Sequence, residues 1–113
     1  MGKYRLVVLT RPKEGADAEY NDWYSNRHLA DVVAVPGFRS AQRFQRVTKM
    51  SGDVGLDYLA IYEIDAESAE EALTQLSAAS SDPEKMPISE ALDQESIIAA
   101  VYEVCSPVVT SRD

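Results

Sequence analysis

The stretch KYRLVVLT, residues 3–10, carries the clearest structural signal in the chain. Its centre is rich in aliphatic and β-branched side chains and the run ends before Pro12, so it predicts a largely buried strand. Side chains of a strand alternate between its two faces. The alternation here places Leu6 and Val8 on one face and Val7 and Leu9 on the other. Both faces are apolar, so both faces of the sheet that contains this strand need cover.

The rest of the chain continues as helix, strand, strand, helix and strand. The first helix is predicted over residues 18–34, with Asp17 as its N-cap and Pro36 stopping it. The strands are predicted at 38–47, 56–64 and 97–104. Asp65 or Ser68 caps the second helix, and a polar connector over 83–94 contains one helical turn around 89–93.

The predicted elements also have predicted faces. In the second strand, alternation groups Phe38 with Ser40, Gln42 and Phe44, and groups Arg39 with Ala41 and Arg43. In the second helix, one apolar stripe consists of Ala69, Leu73, Leu76 and Ala79.

The element order is the split βαβ arrangement, which defines an α+β, ferredoxin-like βαββαβ fold. It has a four-stranded antiparallel sheet with two helices on one face. The other face is apolar and uncovered, and a second copy packed about a two-fold axis would cover it. We therefore predict a homodimer, a dimeric α+β barrel. Residues 1–113 form one domain, with residues 106–113 as a C-terminal tail.

Composition narrows the class of protein. The chain has 19 acidic and 11 basic residues, a formal charge of −8 that disfavours nucleic-acid and membrane-surface partners. No apolar run approaches the roughly 18 residues of a membrane span. The N-terminus lacks the features of a signal peptide. The single cysteine, Cys105, lies in an apolar strand-like run and is expected to be buried, with a reactive thiol as the alternative. These features predict a cytoplasmic protein.

Chemically active side chains concentrate on the first helix. Tyr20, Tyr24, His28 and Asp31 fall within one arc of an ideal helix, and Trp23 flanks them. His28 titrates nearest neutral pH, Asp31 would set its tautomer, and the tyrosines would orient or stabilise an enolate or phenolate. The alternative interpretation is that His28 and the aromatic residues are only packed in the core.

Other sites are weaker. One histidine and one cysteine do not make a zinc site, and no nucleotide-binding loop is present, so we expect no metal and no cofactor. A single histidine still suffices as an axial haem ligand, which leaves haem open. Arg43, with Arg39, is a candidate for an anionic substrate group, or else for a surface or interface pairing.

The chain resembles the EthD-like family of dimeric α+β barrel proteins. The matching segments are Glu19-Tyr20-Asn21-Asp22-Trp23-Tyr24, His28-Leu29, Val35-Pro36-Gly37-Phe38, Ser40-Ala41, Arg43-Phe44, Tyr62-Glu63-Ile64-Asp65 and Val101-Tyr102-Glu103. The resemblance implies the same fold, a homodimer and a ligand cleft between helices and sheet with His28 as general acid or base. Ala30 departs from the family pattern, since many relatives have proline there, and it lets the helix continue beyond His28.

Together these observations lead to one functional hypothesis and its alternatives. The hypothesis is a cofactor-independent enzyme of lyase, dehydratase, isomerase or monooxygenase type that acts on a small aromatic or carbonyl compound. His28 is the catalytic residue. The predicted substrate-binding residues are Tyr20, Trp23, Tyr24, Asp31, Arg43 and Tyr62. The alternatives are a non-catalytic dimer that binds a small apolar or aromatic ligand, and a structural dimer with a filled core.

Overall fold

An antiparallel sheet and two helical stretches form the structure, a computed structural model that describes residues 2–53 and 55–112. The elements are β1 (Gly2–Thr10), α1 (Asp17–Trp23), a π-helical segment (Tyr24–His28), α2 (Leu29–Val33), β2 (Phe38–Gln45), β3 (Tyr58–Ala66), α3 (Ala69–Ser80), a 3-10 turn (Gln94–Ser96) and β4 (Ile98–Glu103). The strand order is β2-β3-β1-β4, and all neighbours are antiparallel. The ferredoxin-like βαββαβ prediction is therefore confirmed. We call the continuous run of α1, the π-helical segment and α2 the first helix.

Alternation along β1 and β3 separates the two sides of the sheet, as the sequence predicts. Leu6 of β1 lies opposite Tyr62 of β3, and both are buried beneath the helices. The first helix adds Tyr20, Tyr24 and Val32 to this core. Tyr20 and Tyr62 are among its largest fully buried side chains, so the candidate ligand-binding aromatics are also main constituents of the core.

The start of β2 changes face. Its pairing with β3 shifts register between Phe38 and Ser40, so Phe38 lies opposite Ile64 and is buried. Ser40 lies on the other side of the sheet, where its Oγ donates a hydrogen bond to Glu63 Oε1 at 3.0 Å. The prediction that Phe38 shares a face with Ser40 is wrong, because a β-bulge inserts one residue and resets the alternation.

The first helix begins one residue earlier than predicted. Ala16 is the N-cap and makes no side-chain capping bond, so the prediction that Asp17 is the cap is wrong. Asp17 is instead the first helical residue, where a carboxylate still interacts favourably with the helix dipole.

The end of the first helix before Pro36 is predicted correctly. Gly37 follows with φ +91°, and a Cβ there would lie 3.2 Å from the Asp65 carbonyl oxygen. Only glycine fits this turn without strain.

The second helix, α3, is capped by Ser68, as one of the two predictions stated. Ser68 Oγ accepts a hydrogen bond from the Glu71 amide at 3.1 Å. The buried stripe passes through Ala72, which is 1% exposed, whereas Leu73 is 43% exposed, so Leu73 was wrongly assigned to the stripe. The helix needs only a narrow contact with the sheet, which small alanine side chains allow.

No helix among the described residues is long and apolar enough to cross a membrane.

The last segments differ from the sequence prediction in two places. The helical turn lies at Gln94–Ser96 rather than around 89–93, because Asp93 caps it by accepting a hydrogen bond from the Glu95 amide at 3.1 Å. The strand β4 ends at Glu103. Cys105 therefore lies beyond the sheet and is exposed in the protomer, so the prediction that it is buried is wrong.

The side of the sheet away from the helices carries an apolar patch, and the polar side chains of Arg5, Ser40, Gln42 and Glu63 lie on the same side next to it. Val7 and Ile61 are paired at its centre, on the two inner strands. Toward its edges, Phe44, Ile98 and Tyr102 are 42%, 48% and 59% exposed. We call this surface the open face; it consists of Val7, Leu9, Phe44, Leu59, Ile61, Ile98 and Tyr102.

Candidate functional site

A π-helical segment shapes the candidate site on the first helix. A π turn aligns residues five apart, and it brings His28 over Trp23 with ring centroids 4.6 Å apart and planes 28° from parallel. Tyr24 contacts the same imidazole edge-on at 5.1 Å. Trp23 is held in turn, because its Nε1 donates to the Pro87 carbonyl oxygen at 3.0 Å. His28 is thus clamped between two aromatic rings, at a type of helical irregularity often found at functional sites.

The imidazole of His28 is half-buried, and its Nδ1 is buried without a hydrogen-bond partner among the described residues. Burial lowers the pKa of His28 to about 4, and the negative charge of Asp31 opposes this shift. Neutral imidazole is therefore the form present at pH 7, which suits a proton acceptor better than a proton donor.

Asp31 does not set the tautomer of His28, so that prediction is wrong. Its Oδ2 accepts a hydrogen bond from Arg27 Nε at 2.8 Å, an ion pair between residues four apart on the helix. Oppositely charged side chains four residues apart on a helix commonly form an ion pair. Because Asp31 bonds to Arg27, Nδ1 of His28 is left without a hydrogen bond. Asp31 lines a different cavity of about 340 Å³, beside Val35, Ala79 and Met86.

Tyr20 and Tyr24 lie deep between the first helix and the sheet. The Tyr20 hydroxyl and Thr10 Oγ1 are hydrogen-bonded at 2.5 Å, and both residues are buried. The ring of Tyr24 packs edge-on against Tyr20 at 5.6 Å. Burial raises the pKa of both phenols, so both are neutral at physiological pH. Their packing fits the alternative interpretation that these tyrosines serve the core.

Tyr62, on β3, lies next to Tyr24 from the sheet side. Its hydroxyl is buried and has no hydrogen-bond partner among the described residues. Burial raises the pKa of Tyr62, and the neighbouring Tyr24 raises it further. The two hydroxyls are close but do not have hydrogen-bond geometry. A buried hydroxyl without a partner is costly, and such groups often mark a place where a ligand or water binds.

The two buried phenols should respond oppositely to loss of the hydroxyl. Tyr20→Phe leaves Thr10 Oγ1 buried without its partner and should lower the free energy of unfolding by about 1–2 kcal/mol. Tyr62→Phe removes a hydroxyl that has no partner, so it should leave stability unchanged or raise it by up to about 1 kcal/mol. Urea unfolding of both variants measures the difference. Equal destabilisation would show that the Tyr62 hydroxyl is bonded in solution.

Arg43 on β2 closes the cluster. Its Nη1 donates to Ser25 Oγ at 2.7 Å, and its Nη2 donates to Asn21 Oδ1 at 2.8 Å. The guanidinium carbon lies 4.6 Å from the ring centroid of Tyr24, 5.2 Å from that of Tyr58 and 5.4 Å from that of Tyr20. The cation is therefore surrounded by aromatic faces and neutral hydrogen-bond acceptors.

Three residues of this arrangement were not predicted from the sequence: Asn21, Ser25 and Tyr58. Asn21 and Ser25 are four apart on the first helix, which places them on one side, and this spacing is the signal that was available. Asn21 also links the helix to β3, because its Nδ2 lies 3.3 Å from the Tyr58 hydroxyl. Arg39 is not part of the arrangement; it is exposed and lines a separate cavity with Glu67 and Glu71.

A cavity of about 170 Å³ opens beside Arg43, lined by Asn21, Arg43, Phe44, Gln45 and Tyr58. It adjoins a larger cavity of about 380 Å³, and the two share Phe44, Gln45 and Tyr58. The larger cavity is lined by leucine side chains, from Leu9, Leu56 and Leu59, and by the charged groups of Arg46, Asp53 and Asp57. The space next to Arg43 itself has aromatic walls, from Phe44 and Tyr58.

The structure thus brings six of the seven predicted site residues into one cluster, whereas the seventh, Asp31, acts on His28 through its charge and forms its ion pair with Arg27. Contacts link Tyr20, Trp23, Tyr24, His28 and Arg43, and Tyr62 faces them from the sheet. In residues 2–53 and 55–112, no three His, Cys, Asp or Glu side chains are grouped so that they could hold a metal ion. That the protein works without a cofactor stays a prediction.

Comparison with known proteins bears on the fold. No protein-family model matches the chain, and no curated protein matches it. Among solved structures, an EthD family protein from Bacillus halodurans is 20% identical with a TM-score of 0.63, covering 91% of this chain and 99% of its own. An Arabidopsis thaliana protein is 16% identical with a TM-score of 0.65, covering 96% and 99%.

Two further structures agree with these. A candidate monooxygenase from Shewanella loihica is 16% identical with a TM-score of 0.58, covering 94% of this chain and 97% of its own. A dimeric ferredoxin-like protein of unknown function from Thermobifida fusca is 14% identical with a TM-score of 0.53, covering 91% and 92%. The chain therefore has the ferredoxin-like fold of these proteins, and its resemblance to the EthD-like family is confirmed at the level of the fold.

Proposed function

We propose that the protein is a cofactor-independent enzyme that acts on a small aromatic or carbonyl compound, with His28 as its general base. The observation that carries this proposal is the buried, unpartnered Nδ1 of a neutral imidazole, held between Trp23 and Tyr24. A packing histidine would be expected to have its buried nitrogen hydrogen-bonded. A buried nitrogen without a partner instead marks a position where an entering molecule would form the missing hydrogen bond.

The reaction that fits this group is proton abstraction beside a carbonyl. The C–H bond breaks, the proton moves to the imidazole, and the electron pair passes to the carbonyl oxygen as an enolate. Returning the proton to another atom completes an isomerisation, and loss of a leaving group completes an elimination. The buried Tyr62 hydroxyl lies next to Tyr24, has no hydrogen-bond partner among the described residues, and would donate a hydrogen bond to the enolate oxygen.

Hydrogen–deuterium exchange tests the proposal without knowledge of the natural substrate. Small aryl ketones and keto acids are incubated with the protein in D₂O, and loss of the α-carbon proton signal is followed by NMR. His28→Gln should slow exchange by roughly 10²-fold. This is the low end of the range for a general base, because a base with a pKa of about 4 is weak. Retained binding of the same compound shows that the variant is folded.

A matched control is Lys49→Gln, which removes a basic group from an exposed position in the loop before β3. Its exchange rate should equal that of the unmodified protein. If the protein binds compounds of the panel but does not accelerate their exchange, His28 is not a base. The second candidate function, non-catalytic ligand binding, would then be preferred. The arrangement around Arg43 favours that candidate, since it provides affinity without needing His28.

We further propose that the functional unit is a homodimer in which two open faces pack together. The support is the apolar character of this surface, with Val7 paired to Ile61 at its centre. A second support is the likeness to the Thermobifida fusca protein, which is described as dimeric. An uncovered apolar face of this kind marks an interaction site in a protein of this size.

A further inference from the structure

The arginines of this chain do not all have the same kind of partner. Arg5, Arg11, Arg27 and Arg46 each form an ion pair with an aspartate or glutamate. Within residues 2–53 and 55–112, Arg39, Arg43 and Arg112 form no ion pair. Arg39 and Arg112 are exposed, whereas Arg43 is half-buried and donates hydrogen bonds to the neutral groups of Asn21 and Ser25. In a chain of formal charge −8, a half-buried cation without a carboxylate partner is an exception that needs a reason.

The guanidinium also has donors to spare. It carries five N–H groups, and the described contacts use two on Nη1 and one on Nη2. The guanidinium also lies within hydrogen-bonding reach of the Tyr20 hydroxyl. The Nε atom has no hydrogen bond to the described residues other than through this contact, and it is not among their buried unpartnered atoms, so its N–H is reachable by solvent.

The surroundings hold the cation without neutralising it. The three tyrosine rings attract it through their faces, and Asn21 and Ser25 fix the plane of the guanidinium. Asn21 is itself anchored, because its Nδ2 also donates to the Asp17 carbonyl oxygen at 2.9 Å. A guanidinium held in one orientation with free donors is suited to a carboxylate, which accepts two parallel hydrogen bonds from it.

The adjoining space defines the rest of the ligand. A cavity of about 170 Å³ holds roughly five water molecules, or a fragment of similar size. Its walls include two aromatic side chains, Phe44 and Tyr58, which suit an aromatic or aliphatic body. A single arginine in an acidic protein is a poor site for a phosphate, which usually needs several positive charges or a row of backbone amides.

We propose that Arg43 binds the carboxylate of the substrate, and that the substrate is a small carboxylic acid with an aromatic or aliphatic body. The inference rests on the proposed function, because Arg43 and His28 contact the same Tyr24 ring. Its test is a binding measurement, which does not depend on turnover.

The experiment compares matched charged and neutral ligands. Dissociation constants are measured by isothermal titration calorimetry for benzoate, phenylacetate and 3-phenylpropionate and for their three primary amides, with inorganic phosphate as a further probe. At least one acid should bind 10-fold or more tightly than its amide. Arg43→Gln should weaken binding of that acid by roughly 10- to 100-fold and leave the amide unchanged. Arg39→Gln, the same change on the same strand, should alter neither.

A second measurement uses the unmodified protein, in case Arg43→Gln does not fold. The Nε–H resonance of Arg43, assigned by ¹⁵N NMR, should shift saturably with the acid and not with its amide. The proposal is overturned if acids and amides bind equally, if no acid binds, if the resonance does not respond, or if phosphate binds more tightly than every carboxylate. Acid binding through Arg43 without any hydrogen–deuterium exchange would refute the enzyme, and Arg43 would then be the carboxylate-binding residue of a non-catalytic binding protein.

Discussion

Replacing Ile61 by glutamate will convert the proposed dimer into a monomer at micromolar concentration. Ile61 lies at the centre of the open face, paired with Val7 on the neighbouring inner strand. The two-fold axis would place two introduced carboxylates in one apolar interface, and each unpaired buried charge costs several kcal/mol. We therefore expect the dissociation constant to rise by at least about 10³-fold. Light scattering and sedimentation equilibrium measure it.

The control is Thr74→Glu, which adds the same charge at an exposed position on α3, in the helical layer. This variant should remain a dimer. Circular dichroism should show the same secondary structure in both variants, because Ile61 contributes to the open face rather than to the core beneath the helices. A monomer mass for the unmodified protein at micromolar concentration would disprove the homodimer.

Acidification will destabilise the protein through His28, by about 3 kcal/mol between pH 7 and pH 4. Burial lowers the pKa of His28 to about 4, against an ordinary value of 6.5. Between these two values the unfolded chain binds a proton that the folded chain does not, so stability rises with pH across this window. The contribution is complete above about pH 6.5 and is lost as pH falls through the folded pKa.

Urea unfolding from pH 4 to pH 7, at one protein concentration, measures this effect. Carboxylates titrate in the same range, so the quantity to compare is the difference in unfolding free energy between the unmodified protein and His28→Gln. That difference should change by about 3 kcal/mol over the range. His28 is the only histidine in the sequence, so its ring resonances in NMR report the pKa directly. A titration midpoint near 6.5 would show that the imidazole is not buried in solution.

Local sequence patterns were sufficient to predict the order of helices and strands and the fold. A run of aliphatic and β-branched residues identified β1, and its two faces followed because side chains of a strand alternate whatever the tertiary context. Ser68 identified the start of α3, because its hydroxyl satisfies a backbone amide three residues away. The Pro36-Gly37 turn was predictable for the same reason, since its conformation depends on these two residues.

Features that depend on backbone register were not predictable. The π turn at Tyr24–His28 shifts His28 toward Trp23, whereas an ideal helix aligns it only with Tyr24. The β-bulge after Phe38 is likewise a change of backbone register. Its one extra residue moves each later side chain of β2 to the opposite side of the sheet. Neither the π turn nor the β-bulge has a signature in residue type.

The sequence by itself determined the element order, the apolar faces of the sheet and the cluster of aromatic residues on the first helix. Only the tertiary structure decided how the polar groups are paired. Asp31 was available to His28 by spacing but bonds to Arg27, and Arg43 was available to a carboxylate but bonds to Asn21 and Ser25. The physical reason is that burial and apolar periodicity are summed over many residues, whereas a hydrogen bond depends on the position of two atoms within a few tenths of an ångström.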